Sequence, residues 1–145
     1  MKISTKLRYG LRFVTYLGAY PEKGSISLKE VATKENISVK YLEQIVSLLK
    51  PLNILQSARG NNGGYRLIKD PKDISLYELF RSLQGQLWEI ACVDNPDSCK
   101  INNTCSTRDL WVELNTMSND FLKNKKLDEL VKKYKEKQPE AMYFI

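Results

Sequence analysis

The sequence predicts a mainly α-helical fold that contains one small β-hairpin. Apolar residues recur at helical spacing through most of the 145 residues, and two Ser-x-x-Glu segments mark helix starts. A single glycine-rich stretch separates two short apolar runs, as in a hairpin. Together these features predict a winged helix-turn-helix followed by a long helix suited to dimerisation.

The first predicted helix covers about residues 4–20, and Pro21 and Gly24 end it. Its apolar positions repeat every three or four residues, at Leu7, Leu11, Val14 and Leu17. This period indicates an amphipathic helix with one side turned to a core.

Two shorter helices with a tight turn between them come next. Ser27 and Glu30 form a capping box, in which each side chain is expected to bond the other's backbone amide. Asn36 tolerates the left-handed conformation of a turn, Ser38 caps the second helix and Pro51 ends it. Their inward positions are Leu28, Val31, Ala32, Ile37, Tyr41, Leu42, Ile45, Leu48 and Leu49. This spacing predicts a helix-turn-helix, although Glu35 occupies a site that is usually apolar.

The segment of residues 54–68 predicts a β-hairpin, because two apolar runs flank glycine and asparagine residues that accept positive φ. Directly after a helix-turn-helix, such a hairpin is a wing. Ser75 and Glu78 then form a second capping box, which opens a helix with Leu76, Leu79, Phe80 and Leu83 inward.

The C-terminal part predicts a polar loop, a long helix from residue 106 to about Leu122, and a short terminal helix around Leu127, Leu130 and Val131. The long helix carries an apolar stripe of Trp111, Leu114, Met117 and Phe121. A stripe of this kind fits an intramolecular core as well as a dimer seam. Most winged-helix proteins contact two half-sites as symmetric pairs, which favours a homodimer.

Polar residues on the second helix of the pair and on the wing are the candidate DNA contacts. On the helix these are Ser38, Lys40, Tyr41, Glu43, Gln44 and Ser47, and on the wing they are Arg59, Gly60, Asn61 and Asn62. A glutamine can bridge an adenine edge, and an arginine on a slim hairpin suits a narrow, negatively charged minor groove. A solvated helix face and an ordinary hairpin are the alternatives, but the order of the two motifs favours binding of double-stranded DNA.

The charge distribution agrees with this interpretation. Residues 1–75 carry 13 Lys or Arg and 6 Asp or Glu, whereas residues 76–145 carry 10 and 11. The excess positive charge therefore lies in the half that is expected to meet phosphates. No apolar run approaches the roughly 20 residues of a membrane span, and the charged N-terminal segment is unlike a secretory signal. We therefore expect a cytoplasmic protein without a membrane partner.

Three cysteines, Cys92, Cys99 and Cys105, lie within fourteen residues, and the chain has no others. In a reducing compartment such a group is more often ligating or redox-active than disulfide-bonded. Thiolates suit an iron–sulfur cluster or zinc, but the close cysteine pairs of structural zinc sites are absent. Free thiols in a surface loop are the remaining alternative. Because the chain has no histidine and no other candidate acid–base set, we do not expect an enzyme.

The sequence resembles the Rrf-type family of winged-helix transcriptional regulators, which includes iron–sulfur regulators of the IscR and NsrR types. The resemblance runs from about Met1 to Val131 and is carried by residues 5–10, 37–44 and 57–65. The three cysteines followed by Leu110 and Trp111 complete it. It implies a homodimeric repressor whose long helices cross at the two-fold axis. It also implies that Glu43 and Gln44 face bases and that Arg59 enters the minor groove.

For the cysteines, the resemblance implies ligation of a 2Fe–2S cluster, with a 4Fe–4S cluster as the alternative. The sequence departs from the family at the fourth ligand, because Arg8 and Arg108 occupy the positions where relatives place an acidic residue or a histidine. A guanidinium has no lone pair to give, so an aspartate, a hydroxyl, water, a small thiol or a partner residue would have to serve. Some relatives lack a cluster and act in cysteine metabolism.

The resulting domain organisation has three parts. We expect residues 1–83 to form the DNA-binding domain, residues 84–105 the cluster-binding cysteine segment, and residues 106–145 the dimerisation helix and a C-terminal arm. The leading hypothesis is a repressor that senses iron–sulfur, redox or nitrosative state. The alternatives are a cluster-free regulator of the cysteine-metabolism type and a zinc-binding protein-interaction module.

Overall fold

The computed structural model describes residues 2–139, so Met1 and the last six residues of the predicted C-terminal arm lie outside the described part. Within it the chain forms seven α-helices and one two-stranded antiparallel sheet. The elements follow in the order α1 (Thr5–Ala19), α2 (Leu28–Glu35), α3 (Val39–Leu49), β1 (Leu55–Ala58), β2 (Gly64–Leu67), α4 (Leu76–Leu83), α5 (Ala91–Asp94), α6 (Arg108–Asn124) and α7 (Leu127–Glu136).

Helix α1 lies at the centre and packs against α2, α3, α4, α7 and β2. Its buried side chains include Leu7, Phe13, Val14, Tyr16 and Leu17. Because α1 packs against neighbours on several sides, more of its residues are buried than the four inward positions that the apolar repeat predicted. The core around it is completed by Leu42, Ile45, Leu49, Ile54, Ile74, Leu79 and Leu127, all fully buried.

Serine caps fix the starts of α2, α3 and α4 as the sequence predicted. Ser38 Oγ accepts the Tyr41 amide at 3.1 Å. At α4 the capping box is complete, because Ser75 Oγ accepts the Glu78 amide at 3.1 Å and Glu78 accepts the Ser75 amide at 2.9 Å. Asn36 has the expected left-handed conformation, with φ 53°.

The capping box predicted at Ser27 is only half correct. Ser27 Oγ accepts the Glu30 amide at 3.1 Å, but the Glu30 carboxylate turns away from the cap. It accepts hydrogen bonds from the Tyr16 hydroxyl at 2.8 Å and from Lys23 Nζ at 2.6 Å. A charged donor and a partly buried phenol are stronger partners than a backbone amide exposed to water.

The unexpected Glu35 has a structural explanation. Its side chain is 10% exposed and accepts a hydrogen bond from Arg12 Nε at 3.0 Å, and Arg12 Nη2 also donates to the Glu35 carbonyl oxygen. Glu35 is the last residue of α2, so Arg12 ties α1 to the end of that helix just before the turn. The carboxylate is tolerated at a usually apolar site because its charge is paired.

The wing is a short hairpin in which Leu55 pairs with Leu67 and Ala58 pairs with Gly64. A backbone bridge joins it to the segment before α2, because Ile26 and Tyr65 exchange hydrogen bonds of 2.9 and 2.8 Å. Gly64 is needed for this close approach, since a Cβ at this position would overlap the Ile26 carbonyl.

Two boundaries differ from the prediction. The cysteine segment is not a continuous loop, because α5 and a single 3-10 turn at Pro96–Ser98 lie within it. Helix α6 starts at Arg108 rather than at residue 106, and its N-cap Thr107 makes no side-chain capping bond. Among the described residues, no helix is both long and apolar enough to cross a membrane.

We predict that Gly64→Ala lowers the free energy of unfolding by about 2 kcal/mol, because the new methyl group must displace the backbone at Ile26. Chemical denaturation followed by circular dichroism measures the change. Asn61→Ala is the control, since Asn61 is exposed in the same hairpin and should change stability by less than about 0.5 kcal/mol. Equal stabilities of the two variants would contradict the prediction.

Candidate DNA interface and cysteine segment

The buried side of α3 determines which residues the helix exposes. Leu42, Ile45 and Leu49 are fully buried against the neighbouring helices α1, α2 and α4. The opposite side therefore faces solvent and carries the predicted contacts Ser38, Lys40, Glu43, Gln44 and Ser47, all exposed. A helix that presents polar side chains in this way can enter a major groove with its N-terminal residues at the base edges.

Tyr41 is the predicted contact that is not fully exposed. Its ring packs edge-to-face on Tyr9, with the ring centroids 5.5 Å apart. The Arg12 guanidinium lies 5.5 Å from the centroid of the same Tyr9 ring. The Tyr41 ring therefore helps to hold the first turn of α3 against α1, in addition to the DNA contact predicted for it.

The tip of the wing brings the other predicted contacts together. Arg59, Gly60, Asn61 and Asn62 are consecutive and exposed between β1 and β2. The Gly63 amide donates to the Gly60 carbonyl at 3.0 Å and closes the turn. A narrow hairpin tip with one arginine can approach a groove without steric interference from its own strands.

Arg66 is a further candidate contact that was not among those predicted from the sequence. This residue is exposed on β2, and its Nε donates across the hairpin to Gln56 Oε1 at 2.7 Å. Its neighbours Tyr65 and Leu67 are half-buried, whereas Arg66 is exposed. The alternation of inward and outward side chains along a strand is the sequence signal that could have identified it. Among residues 2–139, Lys40, Arg59 and Arg66 form no ion pair, which leaves their charges available to phosphates.

The three cysteines lie at three different points of the cysteine segment. Cys92 is on α5, Cys99 follows the Pro96–Ser98 turn, and Cys105 precedes α6. All three are free thiols and half-buried. In the described part of the chain, no three His, Cys, Asp or Glu side chains are grouped as metal ligands.

These thiols match an iron–sulfur cluster in their chemistry but not in their arrangement. Soft thiolates on one segment are the donors that such clusters use. Ligation by all three would require the segment to change conformation. Within residues 2–139 the only two buried side-chain polar atoms without a hydrogen bond are Asn102 Oδ1 and Arg108 Nε, in or beside the segment.

Cys105 has the most distinctive environment of the three. The Thr107 hydroxyl lies 3.4 Å from its sulfur, and the Thr107 and Arg108 amides also point to it. Together these hydrogen bonds hold the pKa of the Cys105 thiol below its usual value, and the bond with the Thr107 hydroxyl contributes most. The thiolate is the form that ligates metals and reacts with oxidants.

Polar contacts fasten the cysteine segment to the rest of the molecule at its N-terminal end. Trp88 Nε1 donates to Ser118 Oγ on α6 at 3.0 Å, and the Ser118 hydroxyl donates to the Leu114 carbonyl at 2.8 Å. Gln84 Oε1 accepts the Ser4 amide, at the start of α1, at 2.8 Å. The segment is thereby connected to both α1 and α6.

The apolar stripe on α6 lies largely on the surface. Met117 and Phe121 are 63% and 61% exposed, Leu110 and Trp111 are also exposed, and Leu114 is half-buried. Beside the stripe runs a groove of about 420 Å³, which is lined mainly by apolar side chains including Ile3, Leu87 and Trp88. Such a surface is typical of a protein contact rather than of a solvated helix face.

Comparison with protein families and curated proteins gives consistent matches. The family described as Rrf2, iron-dependent transcriptional regulator, matches residues 3–133. The HTH-type transcriptional regulator CymR of Bacillus subtilis is 32% identical over 145 residues, which is the full length of both chains. The HTH-type transcriptional regulator IscR of Pectobacterium atrosepticum is 30% identical over 131 residues, 90% of this chain and 79% of the relative.

Solved structures show the same likeness. CymR, the global cysteine regulator of B. subtilis, superposes with a TM-score of 0.76 and 32% identity over 91% of this chain and 97% of its own. IscR of T. potens superposes with a TM-score of 0.73 and 27% identity over 99% of this chain and 97% of its own.

We predict that alkylation of Cys105 by iodoacetamide rises with pH through a midpoint below that of an ordinary thiol, because a lowered pKa keeps the thiolate populated at lower pH. Thr107→Val removes the hydroxyl and should move this midpoint upward. Peptide mapping by mass spectrometry across a pH series measures both. Thr104→Val is the control, since that hydroxyl bonds the Ile101 carbonyl. An unchanged midpoint in Thr107→Val would refute the assignment.

Proposed function

The chain belongs to the Rrf2 family of transcriptional regulators, and we propose that it acts as a cytoplasmic homodimeric repressor. In this proposal the dimer binds operator DNA through α3 and the wing. It senses its signal through an iron–sulfur cluster on the three cysteines. The family match confirms the resemblance inferred from the sequence, and the structural matches confirm the winged-helix fold class. The matched proteins are transcriptional regulators, which confirms the expectation that the chain is not an enzyme.

The observation that carries the DNA-binding proposal is the exposure of two consecutive elements with complementary roles. Helix α3 offers hydrogen-bonding side chains that can read base edges, above all Gln44. The wing offers Arg59, whose charge suits a narrow minor groove. Lys40 and Arg66 add positive charge that positions the protein on phosphates without reading sequence.

The dimer proposal rests on the exposed stripe of α6. A monomer would leave Trp111, Met117 and Phe121 in water beside the apolar groove. Pairing of two α6 helices would bury this surface and place two copies of α3 on one face, so that two half-sites are engaged together.

The cluster proposal rests on the donor chemistry of the cysteine segment. Cys92, Cys99 and Cys105 would hold the cluster, which would supply a centre sensitive to oxygen, nitric oxide or iron supply. The lowered pKa of Cys105 favours the ligating form of one donor. Neither Arg8 nor Arg108 can complete the ligand set, so an oxygen donor, a small thiol or a partner residue is required. The IscR likeness and the iron-dependent description of the family also support this proposal.

A cluster-free thiol regulator of the cysteine-metabolism type is the second candidate. The specific observation that favours it is that the three thiols are not grouped in the described part of the chain. The full-length likeness to CymR points in the same direction. In this candidate Cys105, with its lowered pKa, would be the reactive thiol.

Anaerobic purification followed by reconstitution with iron and sulfide separates the candidates. Brown protein with equal iron and sulfide supports the cluster, and each single Cys→Ala variant should then lose the visible absorption. Arg108→Ala should keep it, because the Arg108 side chain is not a ligand. Colourless protein without metal supports the thiol regulator, and colourless protein with stoichiometric zinc overturns both.

For the DNA interface, we predict that Arg59→Ala weakens binding to the specific operator by about 1–3 kcal/mol, since it removes a charge-assisted contact. Gln44→Ala should mainly relax sequence preference, because a base-edge contact carries specificity. Fluorescence anisotropy with specific and scrambled duplexes at fixed salt measures both. Lys135→Ala loses the same charge at an exposed site on α7 and serves as the control. If both interface variants bound like the control, the proposed interface would be wrong.

For the dimer, we predict that Leu114→Asp shifts the protein from dimer to monomer and weakens operator binding, because a charge would be placed in the apolar seam. Sedimentation velocity at micromolar concentration gives the oligomeric state. Thr116→Asp introduces the same charge at an exposed position off the stripe and should remain dimeric. A wild-type protein that sediments as a monomer would exclude the proposed seam.

A further inference from the structure

A cleft of about 420 Å³ lies between α1 and α7, and its lining contains no residue of α3 or of the cysteine segment. Leu11 and Leu130 and the ring of Tyr134 form an apolar part of its lining, and all three are half-buried. Its size falls within the range of small-molecule sites in proteins. The proposed DNA and cluster functions give this cleft no role.

Cations surround this apolar part of the cleft. Arg8 and Arg12 lie along α1, and Lys133 and Lys137 lie along the last turns of α7 and its end. The acidic residue in the lining is Glu35, which is already bound by Arg12. Within residues 2–139, Arg8, Lys133 and Lys137 form no ion pair with a carboxylate. The cleft therefore combines unneutralised positive charge with apolar walls.

This combination selects a class of ligand. An inorganic anion would find the charges but leave the apolar walls in water, and a neutral apolar molecule would leave the cations without partners. A small organic anion with an apolar body satisfies both, because its charged end can accept charge-assisted hydrogen bonds while its body covers the walls.

We infer that the cleft between α1 and α7 is a binding site for a small organic carboxylate. Arg8 and Lys133 hold the carboxylate, and Leu11, Leu130 and Tyr134 contact the apolar body. The lining contains no residue of the cysteine segment, so a ligand in the cleft is a second input to the regulator in addition to the signal at the cysteines.

Arg12 gives the site a physical connection to the DNA-binding surface. This residue lines the cleft and also binds both the carboxylate and the carbonyl oxygen of Glu35, at the end of α2. The turn that sets α3 begins at the next residue, Asn36. A carboxylate held by Arg8 and Lys133 adds negative charge beside the Arg12–Glu35 pair and so changes the restraint on this turn. This step rests on the proposed DNA binding, whereas ligand binding itself does not.

The test uses benzoate as the probe and chemical-shift mapping of the full-length protein without DNA. Benzyl alcohol supplies the apolar body without the charge, and inorganic phosphate supplies the charge without the body. We expect saturable shifts of the amides of Leu11, Thr15, Leu130 and Tyr134 with benzoate only. The double variant with Arg8→Ala and Lys133→Ala should weaken benzoate binding by about tenfold or more. Lys132→Ala with Lys135→Ala, two exposed lysines on α7 outside the lining, should leave it unchanged.

Three outcomes overturn the assignment. If phosphate produced the same saturable amide shifts as benzoate, the cleft would be a general anion site, such as a contact for the DNA backbone. If benzyl alcohol produced the same saturable amide shifts, the cleft would be an apolar groove without charge selection. If benzoate produced no saturable shift, the cleft would not be a carboxylate site. A second measurement, operator affinity with and without benzoate, tests the connection through Arg12 separately. Benzoate binding without any operator binding would leave the site standing and refute the proposed DNA function.

Discussion

The central position of α1 is the constraint on which the rest of the structure depends. Four other helices and the wing pack on this one helix, so its side chains set the distances between the elements of the DNA-binding domain. At Gly10 the absence of a side chain lets Leu83 of α4 approach, since a Cβ there would lie 2.5 Å from Leu83 Cδ1. The exposed face of α3 is therefore oriented by contacts made on its opposite side, and substitutions in α1 would alter DNA binding without touching DNA.

Two polar ties complement this packing between α1 and α2. Tyr16 and Lys23 both bind Glu30 near the start of α2, and Arg12 binds Glu35 at its end. Burial and the neighbouring Glu30 carboxylate raise the pKa of Tyr16, so its hydroxyl stays protonated and remains a donor. The Arg12 pair stabilises the fold modestly because Arg12 is half-exposed, but removal of Arg12 would leave a buried carboxylate unpaired. The pair thus defines the geometry of the turn more than it adds stability.

The parts of the fold governed by local rules were predictable from the sequence. The 3.6-residue period located α1, α3 and α6, serine caps located the starts of α2, α3 and α4, and glycine and asparagine located the wing. The roles of Glu30 and Glu35 were not predictable, because their partners Tyr16 and Arg12 are distant in sequence and meet them only after α1 packs. The arrangement of the cysteines escaped prediction for a similar reason. Their segment has no apolar period, and side-chain contacts such as that of Trp88 with Ser118 fasten its N-terminal end.

These attachments are the route by which the signalling proposed for the cysteines would reach the DNA-binding domain. The cysteine segment is joined to α6 through Trp88 and to the start of α1 through Gln84. Helix α4 directly precedes the segment, and its Ser82 hydroxyl donates to the Leu48 carbonyl near the end of α3. A rearrangement that gathered the three thiols would pull on the same chain that carries Trp88 and Gln84. Because coupling requires an element with two arrangements, the cysteine segment itself would have to be that element.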